Sequence, residues 1–391
     1  MTTHTALPHA HPADVGLCPE RTRRLMDVMQ REVASGRLPG GVALIARRGQ
    51  VALFESLGQQ DPAANTAMKL DSIFRIYSMT KPIVSVAVMM LMERGQLLLS
   101  DPVGQHLPEF ANQRVHTPQG LVAPQQAATV QDLLRHTSGL TYEFLGDSAV
   151  QRQYGEVKIA SRDRTNDEYC KALAAIPLQY EPGTVWEYSR ATDVLGRLVE
   201  VISGHSLGQF LQQEIFGPLG MVDTGFVVPP EHHHRIAEPF AQDPDGGVLM
   251  KVIDAKQTPK LEGGGGGLMS TAMDYARFLQ FMRNRGELDG VRLLGPHTVD
   301  YMTADHLDGR PVAGTLLPAG HGFGLGFAVR KATGVSAVPG SAGLYYWGGI
   351  AGTTFFVDPV LDLYAVFMIQ APNQREYYRP LFRDLVYAAL L

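Results

Sequence analysis

Ser78-Met79-Thr80-Lys81 is the stretch on which the reading of this chain turns. A strand-like run, Ser72-Ile73-Phe74-Arg75-Ile76-Tyr77, precedes it, and an apolar helix from Ile83 to Glu93 follows. Positions i and i+3 share one helical face, so the Lys81 amine can sit beside the Ser78 oxygen. Pro82 suits the first turn of a helix, where its missing N–H would lack a partner in any case. The helix then starts near Ser78 or Met79, which puts Ser78 at the positive end of the dipole, an end that favours a developing oxyanion. Val84, Val86, Ala87, Val88, Met89, Met90, Leu91 and Met92 make this helix apolar nearly all round and predict a buried, central element. Gly95 ends it. By itself the tetrad also reads as a helix cap with a lysine nearby.

The chain has 391 residues, room for two domains or for one with a large insertion. Hydrophobic residues make up 45% and charged residues 19%, an ordinary globular balance. A formal net charge of -5 is too small to indicate nucleic acid or an acidic membrane surface as a partner. Cys18 and Cys170 are too far apart to define a disulfide framework and read as free thiols. The stretch Met1–Gly16 is polar and lacks the apolar segment of a secretory signal. No run approaches the roughly 18 apolar residues of a membrane-spanning helix. A cytoplasmic protein is the expectation.

Leu25, Met26, Val28, Met29 and Val33 give residues 19–35 the stripe of an amphipathic helix. Gly41–Ala46 and Val51–Phe54 read as strands about a turn at Arg48-Gly49. Helices are predicted over 129–135, 165–175, 191–203 and 271–285, with Thr129 and Thr271 as caps and an aspartate three residues on. Strand patterns return at 326–329, 345–347, 353–357 and 363–369, and residues 379–390 close the chain as a helix. Strands at both ends with helices between them predict one sheet assembled from both ends, carrying a helical insertion. The groove between two such lobes is a common place for an active site.

Gly204-His205-Ser206-Leu207-Gly208 matches the nucleophile-elbow pattern G-x-S-x-G, which needs a strand before it and a helix after it. Leu195, Leu198, Val199 and Ile202 instead give the preceding segment a helical period. Gly204 then stops that helix, and Ser206 with Gln209 forms a capping box for the next one.

Further motifs stand in order along the chain: Leu133-Leu134-Arg135-His136-Thr137-Ser138-Gly139-Leu140, Pro182-Gly183, Tyr188-Ser189, Gly264-Gly265-Gly266-Gly267-Leu268-Met269-Ser270-Thr271 and Trp347-Gly348-Gly349. Alone, Tyr188 reads as a core tyrosine and the Trp-Gly-Gly triplet as a strand bulge. Together with the Ser78 tetrad, the set resembles the serine β-lactamase/penicillin-binding-protein superfamily and, within it, the family VIII carboxylesterases, which are similar to class C β-lactamases. The resemblance covers roughly residues 15–390. It implies an α/β (α+β) fold: an antiparallel sheet built from both chain ends and flanked by helices, plus a mostly helical domain. The expected division gives 15–88, 182–250 and 310–391 to the α/β domain and 89–181 and 251–309 to the helical one.

The resemblance makes Ser78 the nucleophile that forms an acyl-enzyme, and Tyr188 the group that takes its proton and later activates water. Tyrosine is a poor base at its usual pKa of about 10, and Lys81 as a nearby cation would favour the phenolate. The backbone N–H groups of Ser78 and Ile350 are the implied oxyanion donors. Gly348 and Gly349 would let the strand backbone approach the substrate closely. Two departures bear on substrate. Trp347-Gly348-Gly349 stands where β-lactamases have K-T-G, and no lysine follows Lys331. Tyr188-Ser189-Arg190 stands where class C enzymes have Y-x-N. A carboxylate-gripping cation and an amide-recognising asparagine are both missing, which favours uncharged esters over β-lactams or peptides.

The expected activity is therefore a serine carboxylesterase acting on short-chain acyl esters, without metal or cofactor. The alternatives are a β-lactamase, D-aminopeptidase or acyltransferase on the same scaffold, or a non-catalytic ligand sensor. Trp347, Tyr142 and His321 are candidate pocket residues; Tyr142 and Phe144 read equally as buried core aromatics. His136 ends a helix, where a positive charge is favourable, and reads as structural. His232-His233-His234 lies in a loop after Pro229-Pro230, and adjacent side chains do not share a face, which argues against a metal site. Gly263–Gly267 lacks the Lys-Ser/Thr of a phosphate loop and reads as tight chain packing.

Overall fold

A computed structural model describes residues 6–391. Of the polar N-terminal stretch, residues 1–5 lie outside it. Among the described residues, one sheet contains β1 (Gly40–Arg47), β2 (Gln50–Asp61), β3 (Thr66–Ala67), β4 (His321–Phe323), β5 (Ala328–Arg330), β6 (Tyr345–Gly348), β7 (Thr354–Asp358) and β8 (Leu363–Ile369). Its order is β4-β5-β6-β7-β8-β1-β2-β3, antiparallel throughout. The two ends of the chain meet where β8 pairs with β1, Met368 facing Val42 and Val366 facing Leu44. The sheet is thus assembled from both chain ends, as the strand pattern predicts.

Successive side chains of a strand point to opposite faces, and both faces of β1 are covered. Val42, Leu44 and Ala46 join a core with Val366, Met368 and residues of α2 (Thr80–Glu93). Ala43 and Ile45 join a second core with Phe367, Leu25 and Met29 of α1 (Pro19–Ala34), and Phe382 and Val386 of α5 (Arg375–Ala388). Every residue of β1 is buried for this reason, and its sequence is a continuous rather than alternating apolar run. α3 (Ala191–Ser203) packs on α2, and α4 (Ala272–Arg283) packs on β8 and β1. All residues of α2 from Thr80 to Leu91 are buried, in keeping with its all-round apolar surface. Among the described residues, no helix is long and apolar enough to cross a membrane.

Two elements differ from expectation. The strand-like run before Ser78 pairs at Phe74–Arg75 against Met269–Ser270 and bridges Ile236 at Ile73, and a short 3-10 turn, Tyr77–Met79, leads into α2. The closing helix starts at Arg375, one turn before the predicted residue 379. Pro380 lies inside the helix. It deprives only the carbonyl of Glu376, an exposed residue, of its intrahelical donor. Arg379, helical in both the predicted and the observed span, reaches from this helix to the Gly349 carbonyl at the end of β6.

Candidate active site

The turn Tyr77–Met79 presents Ser78 at the mouth of α2. Tyr77 has a φ of 43°, a left-handed conformation that bulky residues rarely adopt. Its phenol is anchored by the Ile253 N–H at 2.9 Å. Such strain persists only where the surroundings over-determine it, and it concentrates at functional sites.

One helical turn on, Lys81 is fully buried. Its ammonium donates to the Gly265 carbonyl at 2.7 Å, the Tyr142 hydroxyl at 3.1 Å and Ser78 Oγ at 3.3 Å. Burial works against this charge, but Tyr142, Tyr188 and Asp193 outweigh it, and the pKa of Lys81 is raised. Lys81 is therefore an ammonium at neutral pH. The Gly265 carbonyl is placed in turn by Asp193, whose Oδ1 accepts from the Gly265 N–H at 2.8 Å. Tight packing explains the glycine run: a Cβ at Gly264 would lie 2.4 Å from the Thr192 carbonyl oxygen, and one at Gly265 2.6 Å from Asp193 Oδ2.

Tyr188 completes the arrangement from the other side. Its hydroxyl lies 2.6 Å from Ser78 Oγ, and its ring centroid lies 4.5 Å from the Lys81 nitrogen. Trp347, on β6, donates from Nε1 to the Tyr188 oxygen at 3.3 Å. The structure brings Ser78, Lys81, Tyr188 and Trp347 together, and it places Tyr142 on Lys81 as a hydrogen-bond acceptor. Phe144, more than half exposed, stacks on Tyr142 at 4.8 Å between centroids.

Arg190, in the position where the resemblance leads one to look for asparagine, turns away. Its guanidinium lies 4.6 Å from the Tyr142 ring and pairs with Glu143 at 2.5 Å. His136 is buried among Trp186, Tyr188 and Phe323, with Nδ1 3.0 Å from Ser189 Oγ. Burial, then the nearby Lys81, pushes its pKa well below the usual histidine value. His136 is thus structural, but neutral rather than a cation at a helix end. His321 is only 5% exposed; its Nδ1 donates to the Ala319 carbonyl at 3.2 Å and its ring meets Tyr346 edge-on.

The glycines of the Trp-Gly-Gly triplet give their space to protein groups. A Cβ at Gly348 would lie 2.9 Å from the Arg379 guanidinium, and one at Gly349 2.4 Å from the Ile76 carbonyl oxygen. Sequence reasoning found no cation near this triplet. The structure supplies one in Arg379, and its Nη2 donates to the Gly349 carbonyl at 2.5 Å. Arg379 lies in the predicted closing helix, but nothing in the sequence relates it to the triplet 30 positions earlier. Gly265 and Asp193 were also missed, although Asp193 in the first turn of α3 is a signal of a sort.

Ser206 caps the short helix Leu207–Leu211, accepting from the Gln209 N–H at 3.3 Å, with Gly204 in the left-handed conformation before it. The three histidines lie in the 3-10 turn Pro230–Arg235, where His233 donates to the Val228 carbonyl at 2.9 Å. A cavity of about 280 Å³ lined by Val103, Phe110, Leu133 and Leu140 contains none of the Ser78 cluster.

Comparison with known proteins identifies the family. The Beta-lactamase family model matches residues 25–388. Protein Rv1367c of Mycobacterium tuberculosis is 35% identical over 355 residues, covering 87% of this chain and 88% of that one. Esterase EstB of Burkholderia gladioli is 34% identical over 415 residues, covering 99% of this chain and all of that one. The solved structure of EstCE1, described as a hydrolase with promiscuous acyltransferase activity, superposes with a TM-score of 0.79 at 28% identity, covering 94% of this chain and 98% of that one. The chain belongs to the Beta-lactamase family and, within it, to the family VIII carboxylesterases.

Proposed function

We propose that this serine carboxylesterase hydrolyses small, uncharged acyl esters through an acyl-enzyme on Ser78, with Lys81 and Tyr188 as its proton-transfer pair. The observation that carries this is the Ser78 hydroxyl, held at 2.6 Å by Tyr188 and at 3.3 Å by the Lys81 ammonium. Tyr188 reacts as the phenolate beside the Lys81 ammonium: Ser78 Oγ attacks the ester carbonyl carbon as its proton passes to the phenolate oxygen, and the negative charge moves from Tyr188 to the oxyanion. The N–H groups of Ser78 and Ile350 receive the oxyanion. On collapse the C–O bond to the alcohol breaks, and Tyr188 returns the proton to the leaving alkoxide. Water then attacks the acyl carbon by the same route, giving up a proton to Tyr188, and Ser78 leaves with that proton. Ester and water become acid and alcohol, and the enzyme is restored.

Trp186, Phe323 and Trp347 crowd the Tyr188 region, which supports a small acyl group. The Arg190 guanidinium is paired with Glu143 and the Arg379 guanidinium bonds the Gly349 carbonyl, so the preference for uncharged esters stands despite their charges. Acyl transfer, with an alcohol in place of water, is the second reading, supported by the description of EstCE1. The free thiols Cys18 and Cys170 suit a reducing compartment and support a cytoplasmic location.

The test compares p-nitrophenyl acetate, p-nitrophenyl butyrate and a chromogenic cephalosporin as substrates. Turnover of the esters, much slower turnover of the cephalosporin and loss of both in Ser78→Ala are expected. Cephalosporin turnover matching that of the esters contradicts the substrate class. Full ester activity in Ser78→Ala contradicts the site.

A further inference from the structure

Resting on the reading of Ile350 as an oxyanion donor, we propose that Arg379 is a positioning residue for the oxyanion pocket: its guanidinium fixes and polarises the peptide unit between Gly349 and Ile350. Both ends of that unit matter. The Gly349 carbonyl accepts from Arg379 Nη2 at 2.5 Å and from the Gly352 N–H at 2.9 Å. The Ile350 N–H, at the other end of the same peptide, has no hydrogen-bond partner among the described residues. In a planar trans peptide the C=O and N–H point in opposite directions. Securing the carbonyl on the Arg379 side therefore aims the N–H away from it. A bond from a cation is roughly twice as strong as a neutral one, and it polarises an amide whose other end donates. The Ile350 N–H becomes both better oriented and a stronger donor.

The surroundings hold the unit beside the nucleophile. Gly349 lies against the Ile76 carbonyl, two residues before Ser78, and its N–H donates to the Thr353 carbonyl at 2.8 Å. Gly348 leaves the space the guanidinium fills, since all three nearest atoms to a Cβ there belong to Arg379. The side chain reaches inward from α5, is 25% exposed as a whole and lies 3.5 Å from Glu376. Burial pushes its pKa down to about 10, which leaves it a cation at neutral pH. Trp-Gly-Gly and Arg379 thus form one device, in which the small residue at 348 admits the cation behind the donor.

The experiment compares wild type with Arg379→Gln, Arg379→Lys and Gly348→Ala, the last of which displaces the guanidinium without deleting it. A fluorophosphonate probe first reports whether Ser78 is labelled. Steady-state kinetics with p-nitrophenyl butyrate and inhibition by a trifluoromethyl ketone, whose Ser78 adduct places an oxyanion in the pocket, then report the donor. Removing a whole oxyanion donor costs about 10²–10³ in kcat, so losing the group that orients one should cost about 10- to 100-fold. That loss is expected in kcat for Arg379→Gln, with KM within about threefold, an equal weakening of the ketone and partial recovery in Arg379→Lys. Gly348→Ala should show the same pattern, and combining it with Arg379→Gln should add little, because both remove one interaction. A kcat within twofold of wild type while Ser78 still labels overturns the role of Arg379 alone. So does a loss confined to KM with the ketone unaffected. Failure of wild type to label at Ser78 overturns the underlying site and this inference with it. Should Arg379→Gln not fold, Arg379→Lys and Gly348→Ala carry the same readouts.

Discussion

At Ser206 the hydroxyl accepts from the Gln209 N–H at 3.3 Å, and the Gln209 side chain accepts from the Ser206 N–H at 3.2 Å. At Ser78 the hydroxyl meets Tyr188 at 2.6 Å and the Lys81 ammonium at 3.3 Å. Both serines stand at helix starts. One closes a reciprocal pair that satisfies the backbone of a short helix. The other is held by a phenol and a cation, each able to move or compensate a proton, at the mouth of a helix buried from Thr80 to Leu91. The sequence pattern G-x-S-x-G belongs to the first serine and the weaker S-x-x-K to the second, so the difference lies in what surrounds each hydroxyl.

The comparison breaks most readily at the nucleophile. Ser78→Ala should lower kcat for p-nitrophenyl butyrate by at least about 10³-fold while the fold is retained, as circular dichroism and melting would show. Next come its partners. Tyr188→Phe removes the proton-carrying oxygen and should cost about 10²–10⁴-fold in kcat. Lys81→Met removes the ammonium and should cost a similar amount. Since Lys81 and Tyr188 act as one unit, the double variant should be little worse than the poorer single one, and fully additive losses would contradict a shared role.

A smaller effect tests the buried carboxylate that precedes Tyr188 in the chain. Burial raises the pKa of Glu187, next to Tyr188, from its ordinary 4.5 to about 7, with the Thr141 hydroxyl pulling the other way. The folded state then binds the proton more tightly than the unfolded state. Stability is greatest below about 4.5 and declines as pH rises to about 7. Above that, the wild type bears the whole cost of a buried carboxylate. Glu187→Gln should gain on the order of 2 kcal/mol relative to wild type at pH 8 and nothing at pH 4. Parallel urea-midpoint profiles for the two proteins would contradict this. The smallest effect belongs to the other serine. Ser206→Ala should leave ester turnover unchanged and cost about 1 kcal/mol of stability, the usual worth of such a cap.

The elements that carry strong local signals were legible in the sequence. α3 begins and ends at the predicted residues 191 and 203, and the capping boxes at Thr129 and Ser206 form as read. Apolar periodicity and side-chain caps act within a few residues, so one sequence contains them. The candidate site was legible where a side chain itself carries the chemistry, as at Ser78, Lys81 and Tyr188. It was not legible where a backbone group does. The Gly265 carbonyl reaches Lys81 across 184 positions of the chain, and no residue identity encodes that contact. Arg379 escaped because its contact with the Gly349 carbonyl spans 30 positions of the chain, and no local pattern encodes it. Tyr142 shows a third case: its type predicted an aromatic wall, while its place beside a buried ammonium made its hydroxyl the part that matters.

The most direct test of the account is to find the acyl group. The protein is mixed with p-nitrophenyl butyrate, quenched in acid within the first turnovers, digested and mapped by mass spectrometry. The account predicts a butyryl group, a gain of about 70 Da as the acyl replaces the hydroxyl proton and p-nitrophenol leaves, on the order of one per chain, on the peptide containing Ser78, absent from Ser78→Ala and accumulating in Tyr188→Phe wherever deacylation is slowed more than acylation. A butyryl group on the peptide containing Ser206, or one that persists in Ser78→Ala, would contradict it.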